Sequence, residues 1–421
     1  MVHPADITTG ALEPSRRVQL LDALRGAALF GVLLVNMLWF AGMDNSVTDQ
    51  QFANLPTAKI DRIADYAVSM LVYAKFIGIF SLLFGVSFAM QMGRLQERTA
   101  DAVRIYSRRL IGLFAIGLVH WLGVWSGEIL HVYALAGFLL LLVFHWRSGV
   151  LVAVGLPVAI LARPLLGRLQ LLFEAGAGRI DYQADQVLAG RLDVFLHGNY
   201  LEVLGVQLRQ DCVPYIVSGT VIAAIFHALG RFMVGVAVAR GRYLEEPHKH
   251  IRAFWVVAGC GTLIGFIAQH DWALVSWLES AGWVTNAALS QLAGHVCNSF
   301  GVVSMTAGYV AAFALMWQSP SLQRVLAGLV PIGQMALTNY LLQTVLNYLL
   351  FFGFGLGLMG RTGVAECVAL SVILFLGQVA FSQWWMRRFR YGPVEWLWRW
   401  WTYRKRPALV RVRGGIQVKD A

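Results

Sequence analysis

The chain has 421 residues, 58% of them hydrophobic and 14% charged, with a formal net charge of +11. Ordinary soluble domains carry about 25% charged residues, so this composition excludes a water-soluble enzyme and points to an all-α, polytopic helical bundle in a membrane. The positive charge does not indicate nucleic acid: the basic residues sit in short clusters beside apolar runs, as the positive-inside rule expects, and Cys212, Cys260, Cys297 and Cys367 lack any metal or redox spacing.

In chain order, residues 1–17 read as a cytoplasmic arm. The first apolar run, RVQLLDALRGAALFGVLLVNMLWF, extends from Arg17 to Phe40. It is too long for a cleaved signal and lacks a small-residue cleavage site, so it reads as a retained span. Asp22, Arg25 and Asn36 share one face, because the steps from Arg25 to Asn36 return to within about 20° of the same direction. Such a stripe is costly against lipid and should face the bundle interior or a watery cavity. The alternative is an Asp22–Arg25 pair at the interface that only fixes depth.

Further apolar runs place spans near 18–42, 66–92, 106–125, 129–146, 148–166, 213–239, 251–269, 287–317, 329–357 and 364–386, about ten in all. Arg16 and Arg17, then Arg94 to Arg109, then Arg240 to Arg252, and finally Arg387 to Arg406 all fall on one side of that scheme. Both termini are therefore expected in the cytoplasm of a bacterial cell, and the bundle at 18–386 in its inner membrane. The long loop 167–212 falls outside. Leu188, Leu192, Phe195 and Leu196 share one side of it, which predicts amphipathic helices at the outer surface, placed to cap a cavity. The Trp-rich segment from Trp272 to Trp283 reads as interfacial.

Two groups of polar residues lie inside these spans. The tight turn HWLGVWSGEILHVYA, from His120 to Ala134, brings His120 close to Glu128 and His131. A histidine beside a carboxylate in a dehydrated setting is what general-base catalysis uses. The alternative is structural: Glu128 caps the following helix and His120 bonds a carbonyl. The ninth span places Asn339, Gln343 and Asn347 at i, i+4 and i+8, on one side. These amides either glue helices together or line a ligand path. The segment at 387–421 reads as a cytoplasmic interfacial helix and tail, in which RRFRYGPVEWLWRWWTYRKR alternates aromatic residues and cations. Its arginines suit anionic headgroups or, equally, the phosphates of an acyl-CoA.

Several segments together resemble a known family: LDALRGAALFGVLLVN (21–36), KFIGIFSLLFGVSFAMQ (75–91), RRLIGLFAIGLVHWLGVWSGEILHVYALAG (108–137), GRFMVGVAVARG (230–241), GQMALTNYLLQT (333–344) and YGPVEWLWRWWTY (391–403). They are similar to the YeiB-like bacterial inner-membrane proteins, a family of unknown function. That family is in turn distantly similar to the transmembrane acyltransferases, which include the heparan-alpha-glucosaminide N-acetyltransferase. The resemblance implies transfer of an acyl group from cytoplasmic acyl-CoA, most simply acetyl-CoA, to a hydroxyl or amine on an extracytoplasmic acceptor. Arg25 matches the first-helix arginine of the O-acyltransferases, whereas Asn36 stands where their histidine would be. The implied base is His120, oriented by Glu128, with Asn36 and Asn339 donating to the thioester oxygen. Arg25 with Asp22 would hold the donor's phosphates, with Gln343 and Tyr133 lining the same cavity. The expected partners are the lipid bilayer, acyl-CoA and an acceptor of unknown identity, with homo-oligomerisation left open; no metal and no nucleic acid are expected. The alternatives are a transporter or flippase using the same stripes, and a non-catalytic membrane scaffold.

Overall fold

The computed structural model describes residues 18–43, 47, 49–176, 184–283 and 286–411. Expectations placed on the arm at 1–17, on the tail beyond 411 and on the side chains of Leu188 and Trp272 lie outside what it describes. Among the described residues the chain is helical, with one isolated β-bridge between Phe389 and Val410. The bundle is built from α1 (Gln19–Leu38), α2 (Ala58–Leu71), α3 (Lys75–Arg98), α4 (Ala102–Gly123), α5 (Leu130–Val143), α6 (Ser148–Gly176), α7 (Ala184–His197), α8 (Tyr200–Gln207), α9 (Thr220–Arg240), α10 (Ile251–Ala268), α11 (Ala287–Trp317), α12 (Ala336–Phe351), α13 (Val364–Arg388) and α14 (Pro393–Tyr403).

Among the described residues, seven segments are long and apolar enough to cross a membrane. An eighth is added if the helix pair Pro320–Gln334 and Ala336–Phe351, bent by 78°, counts as one broken span. The protein is a multi-pass membrane bundle. The count differs from the ten expected because α4 carries Arg104, Arg108 and Arg109 in its first turns, while α5 has only 14 residues. That is about 21 Å of helix against about 30 Å of hydrocarbon. Both still pack inside, where Leu110, Leu113, Val132 and Leu140 share one buried cluster with Phe88 and Phe232.

Without a hydrophobic drive between helices in lipid, small residues set the closest crossings. Gly85 of α3 and Gly235 of α9 let two backbones touch, since a Cβ on Gly85 would lie 2.1 Å from the Phe232 carbonyl oxygen. Elsewhere α1 crosses the short helix Val330–Gln334, where Gly333 lies against the Asp22 carbonyl.

The two ends of the bundle are closed differently. At one end α7 and α8 form a cap: Phe195, Val203 and Val206 are buried with Phe40, Trp125 and Phe352. The Gly353 amide donates to the Phe195 carbonyl at 2.9 Å. The helices expected across 167–212 are thus present, but their apolar side plugs the bundle instead of resting on its surface. At the other end α14 docks on α4. Trp398 Nε1 donates to the Arg109 carbonyl at 2.8 Å, Trp401 Nε1 donates to the Arg108 carbonyl at 3.1 Å, and the Arg109 guanidinium lies 3.6 Å above the Trp398 ring.

Candidate functional site

A cavity of about 300 Å³ begins at the α14 end and runs into the bundle. Its mouth is formed by Asp22 and Arg25 of α1, Arg94 of α3, Arg109 of α4, and Glu395, Trp398, Arg399 and Tyr403 of α14. Four guanidinium groups therefore face two carboxylates. Both carboxylates are already engaged. Arg25 Nη1 donates to Asp22 Oδ1 at 2.6 Å and Arg25 Nη2 to Ser87 Oγ at 2.5 Å. Glu395 Oε1 accepts from the Leu337 and Thr338 amides at 2.7 and 3.0 Å, capping α12 where the chain bends at Met335. Arg94, Arg109 and Arg399 have no carboxylate within ion-pair distance among the described residues. Their guanidiniums are held instead by the Met90 carbonyl, the Trp398 ring and the Tyr391 ring. The mouth keeps a surplus of positive charge held on packed side chains.

Deeper in, the wall turns apolar: Leu29, Val32, Ile77, Phe80, Leu83, Phe84, Leu113, Ile129 and Leu130. The polar groups at that far end are the hydroxyls of Tyr133 and Tyr340. Tyr133 shares a hydrogen bond with Ser81 Oγ at 2.6 Å and donates to the Ile77 carbonyl at 3.2 Å. Tyr340 is held by the Ile129 backbone.

Immediately behind this end stands Glu128, 4% exposed. Its carboxylate accepts from the Leu130 and His131 amides, so it does cap α5. It also accepts from His131 Nδ1 at 2.9 Å, whereas His120 Nδ1 lies 4.0 Å away. His120 Nε2 is within 3.1 Å of Thr344 Oγ1, and its ring packs edge-on against Tyr340. Glu128 thus pairs directly with His131, whose ring stacks on Trp121 at 4.4 Å and whose Nε2 has no partner among the described residues. The turn brings His120, Glu128 and His131 together, but the hydrogen-bonded pair is not His120–Glu128. The reason is helical spacing. Residue 131 lies on the first turn of α5 above its own capping carboxylate, while His120 must reach across from α4.

The other predicted residues separate. Asp22, Arg25 and Tyr133 line the cavity, but Asn36 sits further along α1, half-buried, and the wall there is made by Leu29 and Val32. Asn339 and Gln343 do not line it either. Asn339 Nδ2 donates to Ser382 Oγ at 2.9 Å and Gln343 Nε2 to Gln378 Oε1 at 2.9 Å, while Gln378 Nε2 donates to the Asn339 carbonyl at 3.1 Å. This is an α12–α13 ladder, the helix-glue alternative, and it points Asn339 away from any thioester oxygen. Asn347 is fully buried, with neither amide atom partnered among the described residues.

Sequence reasoning did not single out Arg94, Arg109, Glu395 or Tyr340 as lining this cavity, took Arg399 only together with the other arginines of 387–406, and paired Glu128 with His120, whereas the hydrogen bond is to His131. One signal was available: Glu395 is the lone acid between Arg387 and Arg406. Above the dyad the cap is latched to the same turn. Ser126 Oγ donates to Asp211 Oδ2 at 2.8 Å, Arg191 Nη1 to Asp211 Oδ1 at 2.6 Å, and Gln207 Nε2 to the Tyr348 hydroxyl at 2.6 Å. Among the described residues no group of three or more His, Cys, Asp or Glu converges to hold a metal ion.

Residues 238–405 match a family described as "Protein of unknown function (DUF418)". Along nearly its whole length the chain is similar to the uncharacterized protein YxaH of Bacillus subtilis, at 29% identity over 93% of this chain and 96% of the relative. It is also similar to the uncharacterized protein YeiB of Escherichia coli, at 28% identity over 91% of this chain and 96% of the relative. An uncharacterized 39.9 kDa protein from the amylase 3′ region of Bacillus acidopullulyticus is 27% identical over 94% of this chain and 96% of its own. No solved structure matches.

Proposed function

For this YeiB-like membrane protein we propose transfer of an acyl group from acyl-CoA, with the cavity as the donor site and the Glu128–His131 pair as the base. The observation that carries the proposal is the gradient along the cavity. Arginines surround its mouth, apolar side chains line its middle, the Tyr133 and Tyr340 hydroxyls close its end, and the buried Glu128–His131 pair stands behind Ile129 and Leu130 of that wall. A nucleotide phosphate group suits Arg94, Arg109 and Arg399, whose guanidiniums have no carboxylate within ion-pair distance among the described residues. The pantetheine arm and acyl chain suit the apolar stretch between Leu83 and Leu130.

The acceptor oxygen or nitrogen attacks the thioester carbonyl carbon, forming the new ester or amide bond as the C–S bond breaks. His131 Nε2 takes the acceptor's proton and returns it to the leaving thiolate, giving free CoA. Glu128 holds Nδ1–H in place, leaves Nε2 as the lone-pair nitrogen, and stabilises the imidazolium while it lasts. The Tyr340 hydroxyl is the donor positioned for the charge that develops on the carbonyl oxygen. The donor mouth then faces the cytoplasm and the α7–α8 cap the far side of a bacterial inner membrane, with both termini on the donor side.

The direct test is binding of acetyl-CoA to the purified protein, beside Arg109→Gln and His131→Ala. Saturable binding that weakens with Arg109→Gln and persists in His131→Ala is expected. Failure of the wild type to bind any acyl-CoA would overturn the donor site.

A further inference from the structure

Near Glu128 and His131 lie two guanidinium groups without counter-charges, with a histidine beside them. His227 and Arg231 stand one turn apart on α9, and Arg163 faces them from α6. The two helices meet backbone to backbone: a Cβ on Gly230 would lie 2.5 Å from the Ala159 amide nitrogen. Arg231 is only 7% exposed. Its guanidinium lies within electrostatic reach of Arg163 and of Tyr133, the tyrosine that lines the donor cavity. Arg163 and Glu128 in turn both lie within reach of Tyr215, whose ring packs edge-on against His131 at 6.4 Å.

Neither arginine has an ion-pair or hydrogen-bond partner among the described residues, and α9 contains no Asp or Glu. The buried Nδ1 of His227 and Nε2 of His131 are also unpartnered. Two like charges close together at membrane depth, one of them buried, each add to the cost of the other; several kcal/mol is typical for an unpaired buried ion. A ligand anion between them removes that cost.

The surroundings select the kind of anion. Arg163 is exposed on a spanning helix, beside the exposed apolar side chains Leu165, Ile222 and Phe226. Arg163 is therefore reached from the side of the bundle that faces hydrocarbon. We infer that Arg163, Arg231 and His227 hold the phosphate of a membrane amphiphile in the seam between α6 and α9. We further infer that this lipid is the acyl acceptor, its headgroup hydroxyl directed at His131 Nε2. The acceptor role rests on the acyl-transfer proposal, whereas the lipid-phosphate contact does not. Donor and acceptor then meet at the first turn of α5, and the ester forms on the headgroup oxygen as the thioester C–S bond breaks.

The test is equilibrium binding of radiolabelled dioleoyl phosphatidylglycerol to the full-length protein in detergent. Dioleoylglycerol, which lacks the phosphate, and glycerol 3-phosphate, which lacks the chains, serve as competitors. Saturable binding that neither competitor displaces is expected. Arg231→Gln should weaken it about tenfold or more, and Arg231→Lys less. Because Arg231→Gln removes a buried group and can disturb folding, the exposed Arg163→Gln is the deciding variant. About a fivefold to tenfold loss of affinity at unchanged melting temperature is expected. Unchanged affinity in Arg163→Gln, or equal competition by dioleoylglycerol, overturns the site; displacement by glycerol 3-phosphate reassigns it to a soluble phosphate and overturns the lipid claim. Acetyl-CoA binding measured on the same preparations separates the two proposals. Lipid held without acetyl-CoA binding sinks the acyltransferase and leaves the lipid site, while the reverse sinks only the lipid site.

Discussion

At the residue scale the decisive contacts concern four ionisable groups at helix ends: His120, Glu128, His131 and Glu395. His131 rather than His120 is bonded to Glu128, so His131→Ala should lower acyl transfer by about 10²- to 10⁴-fold, the usual worth of a general base. His120→Ala should cost much less, because His120 is tied to Thr344 and packs behind Tyr340. Single-turnover assays with acetyl-CoA, run beside melting curves, distinguish loss of chemistry from loss of fold. A larger loss in His120→Ala would reverse the assignment. Glu395 carries a pH signature. Burial holds its carboxyl above the ordinary value, opposed by hydrogen bonds from Thr338 and Leu337 that favour the charged form. A carboxyl raised in the folded state contributes most to stability where it is protonated. Thermal stability should therefore decline as pH climbs from the unfolded-chain value of about 4.3 through the higher folded one, and Glu395→Gln should flatten that limb. Melting temperatures across that range check the sign.

At the element scale, α14 and the α12–α13 ladder have different duties. α14 supplies Glu395, Trp398, Arg399 and Tyr403 to the cavity mouth and grips α4 through two indole hydrogen bonds. Ending the chain before Pro393 should therefore lower acetyl-CoA affinity by at least about tenfold, or 1.4 kcal/mol. Isothermal titration reads this directly, and unchanged affinity would mean that the mouth lies elsewhere. The ladder should behave in the opposite way. Asn339→Leu with Gln343→Leu removes amides that bond Ser382 and Gln378, at about 0.6–2 kcal/mol per interhelical bond in a membrane. The melting temperature should drop while the Kd for acetyl-CoA stays constant. The sequence pattern had left two uses open for those amides, because spacing at i, i+4 and i+8 shows only that they share a face. Whether that face meets a neighbouring helix or a cavity depends on where α13 lies.

At the scale of the whole molecule, the charge surplus of the mouth should make the proposed donor binding sensitive to salt. Raising ionic strength from about 0.01 M to 0.15 M shortens the Debye length from about 30 Å to about 8 Å, so acetyl-CoA affinity should fall, and fall less steeply in Arg94→Gln. A salt-independent Kd would mean that the phosphates do not bind at the arginines. The all-helical membrane class, the apolar runs and the polar turn at 120–134 were legible in the amino-acid order, because hydrophobic periodicity and the burial of polar groups in lipid are local constraints. So was the YeiB-like resemblance, carried by contiguous motifs. The partners of each polar group were not legible. Arg94, Arg109 and Arg399 read as three members of loop clusters, yet the docking of α14 on α4 turns them to one cavity mouth. Arg163 and Arg231 lie 68 positions apart and come within electrostatic reach where Gly155 and Gly230 allow α6 and α9 to touch. Charge and spacing along a chain determine which residues must leave lipid; only the packing of distant helices decides what each of them finds there, since a side chain's partner is set by the crossing of two axes and not by either sequence alone.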